Sequence, residues 1–335
     1  MNPAYLASGG WIASAVGTAA ALGVADHLGS GPKTAAELAA LTGSSEYALA
    51  RMMRLLCVAG VFEETADARF ANTADAEVLR ADHPRSMRHF CMLAAGDYQR
   101  IFQEMSHTVA TGEPASRTVL GGSLYTFLSR TPESGAIYDG AMEDLARPVG
   151  KVLAKSRDFS AIDTVVDVGG GSGALLKGLL TAVPHLRGIC VDRPDVCARA
   201  AQSLVASGSA LGDRLEFRAG DFFESVPPGQ PLYLLKNVLH NWGDERCVDL
   251  LRTVCAAMAS RPTARLLVIE PLAESPMPAM YKALDELMQV VISEPGVAAR
   301  SEAAFRALIE RAGLRVLSVQ TLASGHALFD TAPQE

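Results

Sequence analysis

No C-x-x-C pair and no zinc-finger spacing occurs among the six cysteines, at positions 57, 91, 190, 197, 247 and 255. Neither a metal knuckle nor a dithiol redox motif is therefore encoded, and no metal is expected. Scattered single cysteines in apolar surroundings are expected to be reduced, buried thiols, which fits a cytoplasmic protein. Excess positive charge is missing too: 30 Lys and Arg stand against 37 Asp and Glu, a net charge of −7. Neutralising phosphates needs a basic face, so nucleic acid is not an expected partner. From Met1 to Ala25 there is no charged side chain at all; Asp26 is the first acid and Lys33 the first base. A secretory signal would put Lys or Arg ahead of its apolar stretch. Gly9, Gly10, Gly17, Gly23 and many alanines leave the segment too mildly apolar for a membrane span. The expectation is a helix buried against a partner.

What is present begins with size. The 335 residues suffice for about two ordinary domains, and 49% apolar content supports a substantial core. Residues 34–72 read as a small helical module with a β-wing. Thr34 and Glu37 have capping-box spacing, Gly43 stops that helix, and Ser44 or Ser45 opens the next. Leu49, Met52, Met53 and Leu56 then fall on one helical face. Gly60 ends it, and Val61-Phe62 with Phe70-Ala71 bracket a polar turn of hairpin length. A winged helix invites a DNA-binding regulator as one reading. Residues 1–100 hold eight Lys or Arg and ten Asp or Glu, and the second helix offers only Arg51 and Arg54 beside Glu46. That balance favours a packing or dimerisation role. Residues 75–160 look helical, with Met142–Leu153 as a linking helix and Arg157-Asp158 as a loop.

From residue 163 the rhythm changes. Short apolar or β-branched runs at 164–168, 188–191, 215–218, 232–235, 264–269 and 314–320 alternate with helical stretches. This is the pattern of an α/β, doubly wound parallel sheet, with 325–330 as a last antiparallel edge strand. Three segments follow: 1–100 a winged-helix module, 101–160 a helical linker contributing to a substrate pocket, and 161–335 a ligand-binding α/β domain.

The run Thr164–Ala174 is a strand, a glycine-rich turn and a helix start. Glycines let a ligand approach the backbone at the end of the first strand. Gly169, Gly171 and Ala174 also fit the dinucleotide pattern G-x-G-x-x-A, so the loop alone does not separate a nicotinamide cofactor from S-adenosylmethionine. Asp192, closing the second strand, suits any adenosine ribose. Asp167 discriminates better: a carboxylate aimed at the loop would repel a pyrophosphate but suits a sulfonium and an α-amino group. After the third strand, Asp221 is placed to accept from an adenine amino group and Phe222 to cover the ring.

The segments VVDVGGGSG (165–173), VDRP (191–194), GDFFESVP (220–227), LLKNVLHNWGDE (234–245) and VIEP (268–271) resemble the plant-type family of S-adenosylmethionine-dependent O-methyltransferases, which includes bacterial antibiotic-tailoring enzymes. The resemblance spans almost the whole chain. It implies a Rossmann-like methyltransferase sheet, a winged-helix N-terminal half serving a homodimer, and a small aromatic acceptor. It also implies Gly169 against the methionine part of the cofactor, Asp192 on the ribose, Asp221 and Phe222 on the adenine, and Lys236 near the carboxylate or adenine edge. Methyl transfer to a hydroxyl needs alignment and removal of one proton. His240 stands in the family's catalytic position, and Glu270 matches the carboxylate that orients it. Family acceptor pockets are lined from the linking helix and the helix after the fifth strand, which points to Tyr138, Met142, Asp285, Met288 and Ile292.

One departure stands out. The family segment G-x-x-E-R-[ST]-E-x-x-F carries a second glutamate, and here residues 296–305 put Ala299 in its place. That leaves open a more acidic phenol, a nitrogen acceptor, or a relative that binds the cofactor without simple methylation. Asn241 replaces a frequent aspartate, a milder change.

Overall fold

The computed structural model describes residues 2–275 and 278–334. They form two compact units, residues 1–103 with 131–145 and residues 104–130 with 146–335.

In the first unit the capping box forms: Thr34 Oγ1 accepts from Glu37 N at 3.2 Å, and Thr34 N donates to Glu37 Oε2 at 2.7 Å. That helix, Ala35–Thr42, ends at Gly43 with φ +65°, a left-handed cap that glycine adopts without strain. Ser45 caps the next helix, Glu46–Val58, whose Leu49, Met53 and Leu56 are buried. Strands Phe62–Glu64 and Phe70–Asn72 pair antiparallel as the wing. The uncharged N-terminal segment breaks at Ser8 into helices Pro3–Ala7 and Gly9–Ala21. Ala15, Ala19 and Ala20 face the unit's core, while Tyr5, Leu6 and Trp11 are left exposed at 61%, 57% and 74%. No described helix is long and apolar enough to cross a membrane.

The second unit is built on seven strands: β1 (Thr164–Val168), β2 (Arg187–Asp192), β3 (Leu215–Ala219), β4 (Leu232–Lys236), β5 (Arg265–Glu270), β6 (Leu314–Thr321) and β7 (Ala327–Pro333). Their order is β3-β2-β1-β4-β5-β7-β6. The first five run parallel, and β7 pairs antiparallel with both β5 and β6. The sheet is thus mixed, and the last strand is not at the edge. It inserts between β5 and β6, because a short turn returns the chain as a β-hairpin while β5 still has an open side.

Alternation along the strands builds three layers. Val166, Val168, Tyr233, Leu235, Leu266 and Val268 enter one core with helices α3 (Asp244–Met258) and α5 (Glu302–Arg311). Val165, Leu232, Leu234, Leu267 and Ile269 enter the other, with α1 (Ala174–Ala182). Both faces are covered, which is why the central strands read as unbroken apolar runs. α1 also meets the second half of the long helix Pro132–Ser156. A Cβ on Gly150 would lie 2.3 Å from Leu175 O, so only glycine permits this backbone contact. β1 leads into β2 and β3 on one side, and β4 begins the other, so the chain reverses direction across the sheet at β1/β4. Open α/β sheets bind ligands at the carboxyl ends of strands beside such a reversal.

Candidate active site

At that reversal the glycine loop leaves β1. Gly169, Gly171 and Gly173 all have positive φ, at +73°, +57° and +74°. A Cβ on Gly169 would lie 2.9 Å from a Val238 methyl and 3.5 Å from the Phe222 ring, so this glycine is required by both conformation and space. Asp192, closing β2, holds the loop: its Oδ2 accepts from Gly171 N and its Oδ1 from Arg193 N, each at 2.8 Å. Asp221 Oδ1 accepts from Phe223 N at 2.8 Å, a tight turn that leaves its carboxylate exposed and presents Phe222 toward Gly169. Phe222, Phe223, Trp242 and Tyr125 form an aromatic cluster behind it.

Beneath the loop are buried charges. Asp167 is 2% exposed. Loss of solvation pushes its carboxyl up to about 7, with Lys236 opposing and Asp192 adding to the shift. Burial also lowers Lys236, which Glu270 and Asp167 counteract. At the same strand end Asn237 Oδ1 is buried without a hydrogen-bond partner among the described residues. Asp167 beneath the glycine loop and Asp192 against it put acceptors and negative charge beside the glycines, with Lys236 as the nearby cation. This arrangement fits a ligand bringing hydroxyls, an amino group and a positive sulfonium, and it does not fit a pyrophosphate.

The proton-handling residues come from β4 and β5. Asn237 takes φ +54°, a left-handed turn that asparagine tolerates, and its backbone N–H still donates to Ile269 O at 3.0 Å. The next residues curl into a short 3₁₀ turn, Leu239–Asn241. This aims three donors at one carboxylate. Glu270, fully buried at the end of β5, accepts from Val238 N and Leu239 N through Oε1, both at 2.8 Å. Its Oε2 lies 2.8 Å from His240 Nδ1. The far side of the turn is clamped by Arg300, 6% exposed. Its guanidinium donates to Leu239 O at 3.0 Å, to Trp242 O at 2.6 Å and to Asp244. Arg300 is in the segment that holds Ala299, but its part in fixing the histidine turn was not read from the sequence. His326, just before β7, was also missed. Burial lowers it to about 4, with Lys236 and His240 repelling its cation and Glu270 drawing the other way.

His240 opens on a cleft walled by Pro271, Leu272 and Ala273, by α4 (Ala279–Ile292), and by Ala298, Ala299, Arg300 and Phe305. Of the expected acceptor residues, Asp285 lines it. Met288 is half-buried and Ile292 is buried with its carbonyl held by Ser116 Oγ at 2.8 Å; among the described residues neither lines this cleft. Tyr138 and Met142, half-buried and four residues apart on the linking helix, belong to the first unit.

Two family descriptions match the chain, an O-methyltransferase domain over residues 102–315 and an O-methyltransferase dimerisation domain over residues 5–82. The chain is 38% identical to the mitomycin biosynthesis 6-O-methyltransferase of Streptomyces lavendulae, over 92% of this chain and 87% of that one. It is 36% identical to the O-demethylpuromycin-O-methyltransferase of Streptomyces alboniger, over 93% and 83% of the two chains. Among solved structures it resembles an O-methyltransferase from neocarzinostatin biosynthesis in complex with S-adenosylmethionine and 2-hydroxy-5-methyl naphthoic acid. The TM-score is 0.77 at 32% identity, covering 96% of this chain and 95% of that one. With a glycine cleft that suits a sulfonium and a histidine held by a buried glutamate, the chain belongs to the S-adenosylmethionine-dependent O-methyltransferase family.

Proposed function

We propose that this chain methylates a hydroxyl group on a small aromatic acceptor of the antibiotic-precursor type, with His240 as general base, and that it works as a homodimer. The observation that carries the base assignment is the 2.8 Å contact between His240 Nδ1 and the fully buried Glu270. A carboxylate that already accepts from two backbone amides takes its third donor from Nδ1–H. The proton is thereby fixed on Nδ1, and Nε2 keeps its lone pair for the acceptor.

When bound, the cofactor supplies a methyl group on a positive sulfonium, already activated for in-line displacement. The rest falls to the chain. Asp192, which holds the loop through Gly171 N and Arg193 N, would take the ribose hydroxyls. Asp167, Lys236 and Asn237 would hold the charged amino-acid end, with Gly169 and Gly171 allowing close approach. Asp221 and Phe222 would hold the adenine. His240 would take the hydroxyl proton as the oxygen attacks, and Glu270 would stabilise the imidazolium that forms. The cleft walls, Asp285 among them, would place the acceptor ring. The dimerisation domain and exposed Tyr5, Leu6 and Trp11 support the homodimer.

The test is His240→Ala. Turnover of a hydroxyarene should fall by roughly 10²–10⁴, while calorimetric binding of S-adenosylhomocysteine is unchanged. Normal turnover in that variant would remove the base role. Sedimentation at micromolar concentration should give the mass of two chains.

A further inference from the structure

Helix α4 presents a polar stripe to the cleft. Lys282, Asp285, Glu286 and Gln289, spaced i, i+3, i+4 and i+7, line the cleft shared with His240. Met280, Tyr281, Leu284, Leu287 and Val290 lie on the exposed side. Glu286 is exposed, Lys282 and Asp285 are half-buried and Gln289 is buried, and a polar group buried at a cleft needs a polar occupant.

Gln289 is only 4% exposed. Its Nε2 donates to Asp285 Oδ2 at 3.0 Å, and its Oε1 is buried with no hydrogen-bond partner among the described residues. The amide orientation is set by Asp285, since a flip would turn Oε1 onto a carboxylate oxygen. The orphan is therefore an acceptor, and beside it stands a second acceptor, the half-buried Asp285 carboxylate. Burial raises the Asp285 carboxyl, while His240 across the cleft draws it down. Gln289 also lines a second cavity with Glu286, Val290, Val297, Ala298 and Ala299, so the two cavities share the Ala298-Ala299 wall. A glutamate side chain at position 299 would project into this space; alanine leaves it to the ligand.

We propose that Gln289 and Asp285 form an acceptor-recognition subsite for an amino group carried by the same arene whose hydroxyl faces His240. The inference rests on the methyl-transfer reading above. An amino group offers two N–H donors, one for each oxygen acceptor, where a hydroxyl offers one. Lys282, Asp285 and Glu286 together leave this wall with one net negative charge, which favours an amine over a carboxylate in the same place.

The experiment compares kcat/KM for 2-, 3- and 4-aminophenol with the three matching cresols, using the full chain saturated with S-adenosylmethionine. At least one aminophenol should exceed its cresol by about tenfold or more, because the methyl isostere leaves both acceptors unpaired. Gln289→Leu should collapse that ratio toward one, and Asp285→Asn should lower it. Gln289→Glu, which keeps an acceptor oxygen, should retain it. Each ratio is internal to one variant, so a reduced folded fraction does not alter it. Ratios near one for all three pairs in the unmodified chain, or a preference unchanged in Gln289→Leu, overturn the subsite and leave O-methylation standing. No methyl transfer to any of the six phenols, with S-adenosylhomocysteine still bound, overturns the hydroxyl-acceptor reading and the subsite with it.

Discussion

Replacing Glu270 by glutamine changes one atom and isolates what the carboxylate does for the histidine. The amide oxygen can still accept from Val238 N and Leu239 N, the two 2.8 Å bonds that hold the turn. The amide nitrogen then faces His240 Nδ1, where an oxygen stood at 2.8 Å. Because that NH₂ only donates, Nδ1 must accept, and the ring proton moves to Nε2. The base is then lost without loss of the fold. A positioned general base contributes about 10²–10⁴ in rate. The corresponding asparagine change in a Ser-His-Asp triad, which inverts the tautomer in the same way, costs about 10⁴. A drop of about 10²–10⁴ in kcat is expected, with S-adenosylhomocysteine affinity within about twofold, since ~0.4 kcal/mol is all that twofold represents. The pH profile sharpens the test. With no base, the rate should climb about tenfold per pH unit as the acceptor ionises by itself, up to the phenol value near ~10. Turnover within about threefold of the parent at neutral pH would refute the tautomer argument, because no donor at Glu270's position leaves Nε2 able to accept.

Asp167→Asn tests the buried carboxyl. The folded-state value of about 7 lies above an unfolded value near ~3.9, so the folded chain holds a proton that the unfolded chain releases. That stability is fully present below about pH 4 and is lost as pH rises through about 7. The ligand-free Tm of the parent should therefore fall from about pH 5 to 8 more steeply than that of the variant, while the variant binds S-adenosylhomocysteine at least ~10-fold more weakly through loss of a charge-assisted contact; parallel slopes would rule out the shift. Arg300→Met removes the donors to Leu239 O and Trp242 O, bonds of about 1.5–3 kcal/mol each for a charged donor. It should lower kcat and Tm together, with cofactor affinity, measured by calorimetry, retained. Gly150→Ala drives a methyl to 2.3 Å from Leu175 O and should lower stability by about 1–3 kcal/mol in a urea titration; an unchanged midpoint would show that the helices separate freely.

Much of this was legible because the chain encodes it locally. The capping box at Thr34, the glycine turn after Val168 and the apolar runs of the central strands are short-range signals, and their elements fall within a residue or two of the expected ends. The pairing of β7 with β5 was not legible: a hairpin fixes which strands are sequential, not which open side the second strand takes. Arg300 was hidden for a different reason. Its partners are backbone carbonyls 58 and 61 residues away in sequence, and carbonyls carry no side-chain signature. The polar lining on α4 was only partly legible: Asp285 was expected there, Lys282, Glu286 and Gln289 were not. Periodicity shows that a helix has two faces but not which neighbour each face meets. Apolar candidates such as Met288 are chosen by side-chain type, and a polar side chain such as Gln289 gives no such signal until the fold places it at the cleft.

The departure at Ala299 and the polar stripe of α4 bear on each other. A second glutamate beside His240 would add a negative charge to a cleft that already holds Asp285 and Glu286. Two carboxylates crowded in a half-buried space raise one another and favour a shared proton. With alanine there, the carboxylate within hydrogen-bond distance of the His240 ring is Glu270, whose two oxygens are both committed by the fold: Oε1 to two turn amides and Oε2 to the ring. The small side chain at 299 leaves space in the two cavities that it lines. A chain with one orienting carboxylate and a vacated wall is suited to an acceptor that brings its own hydrogen-bond donors, and Gln289 Oε1 is the buried atom in that wall still waiting for one.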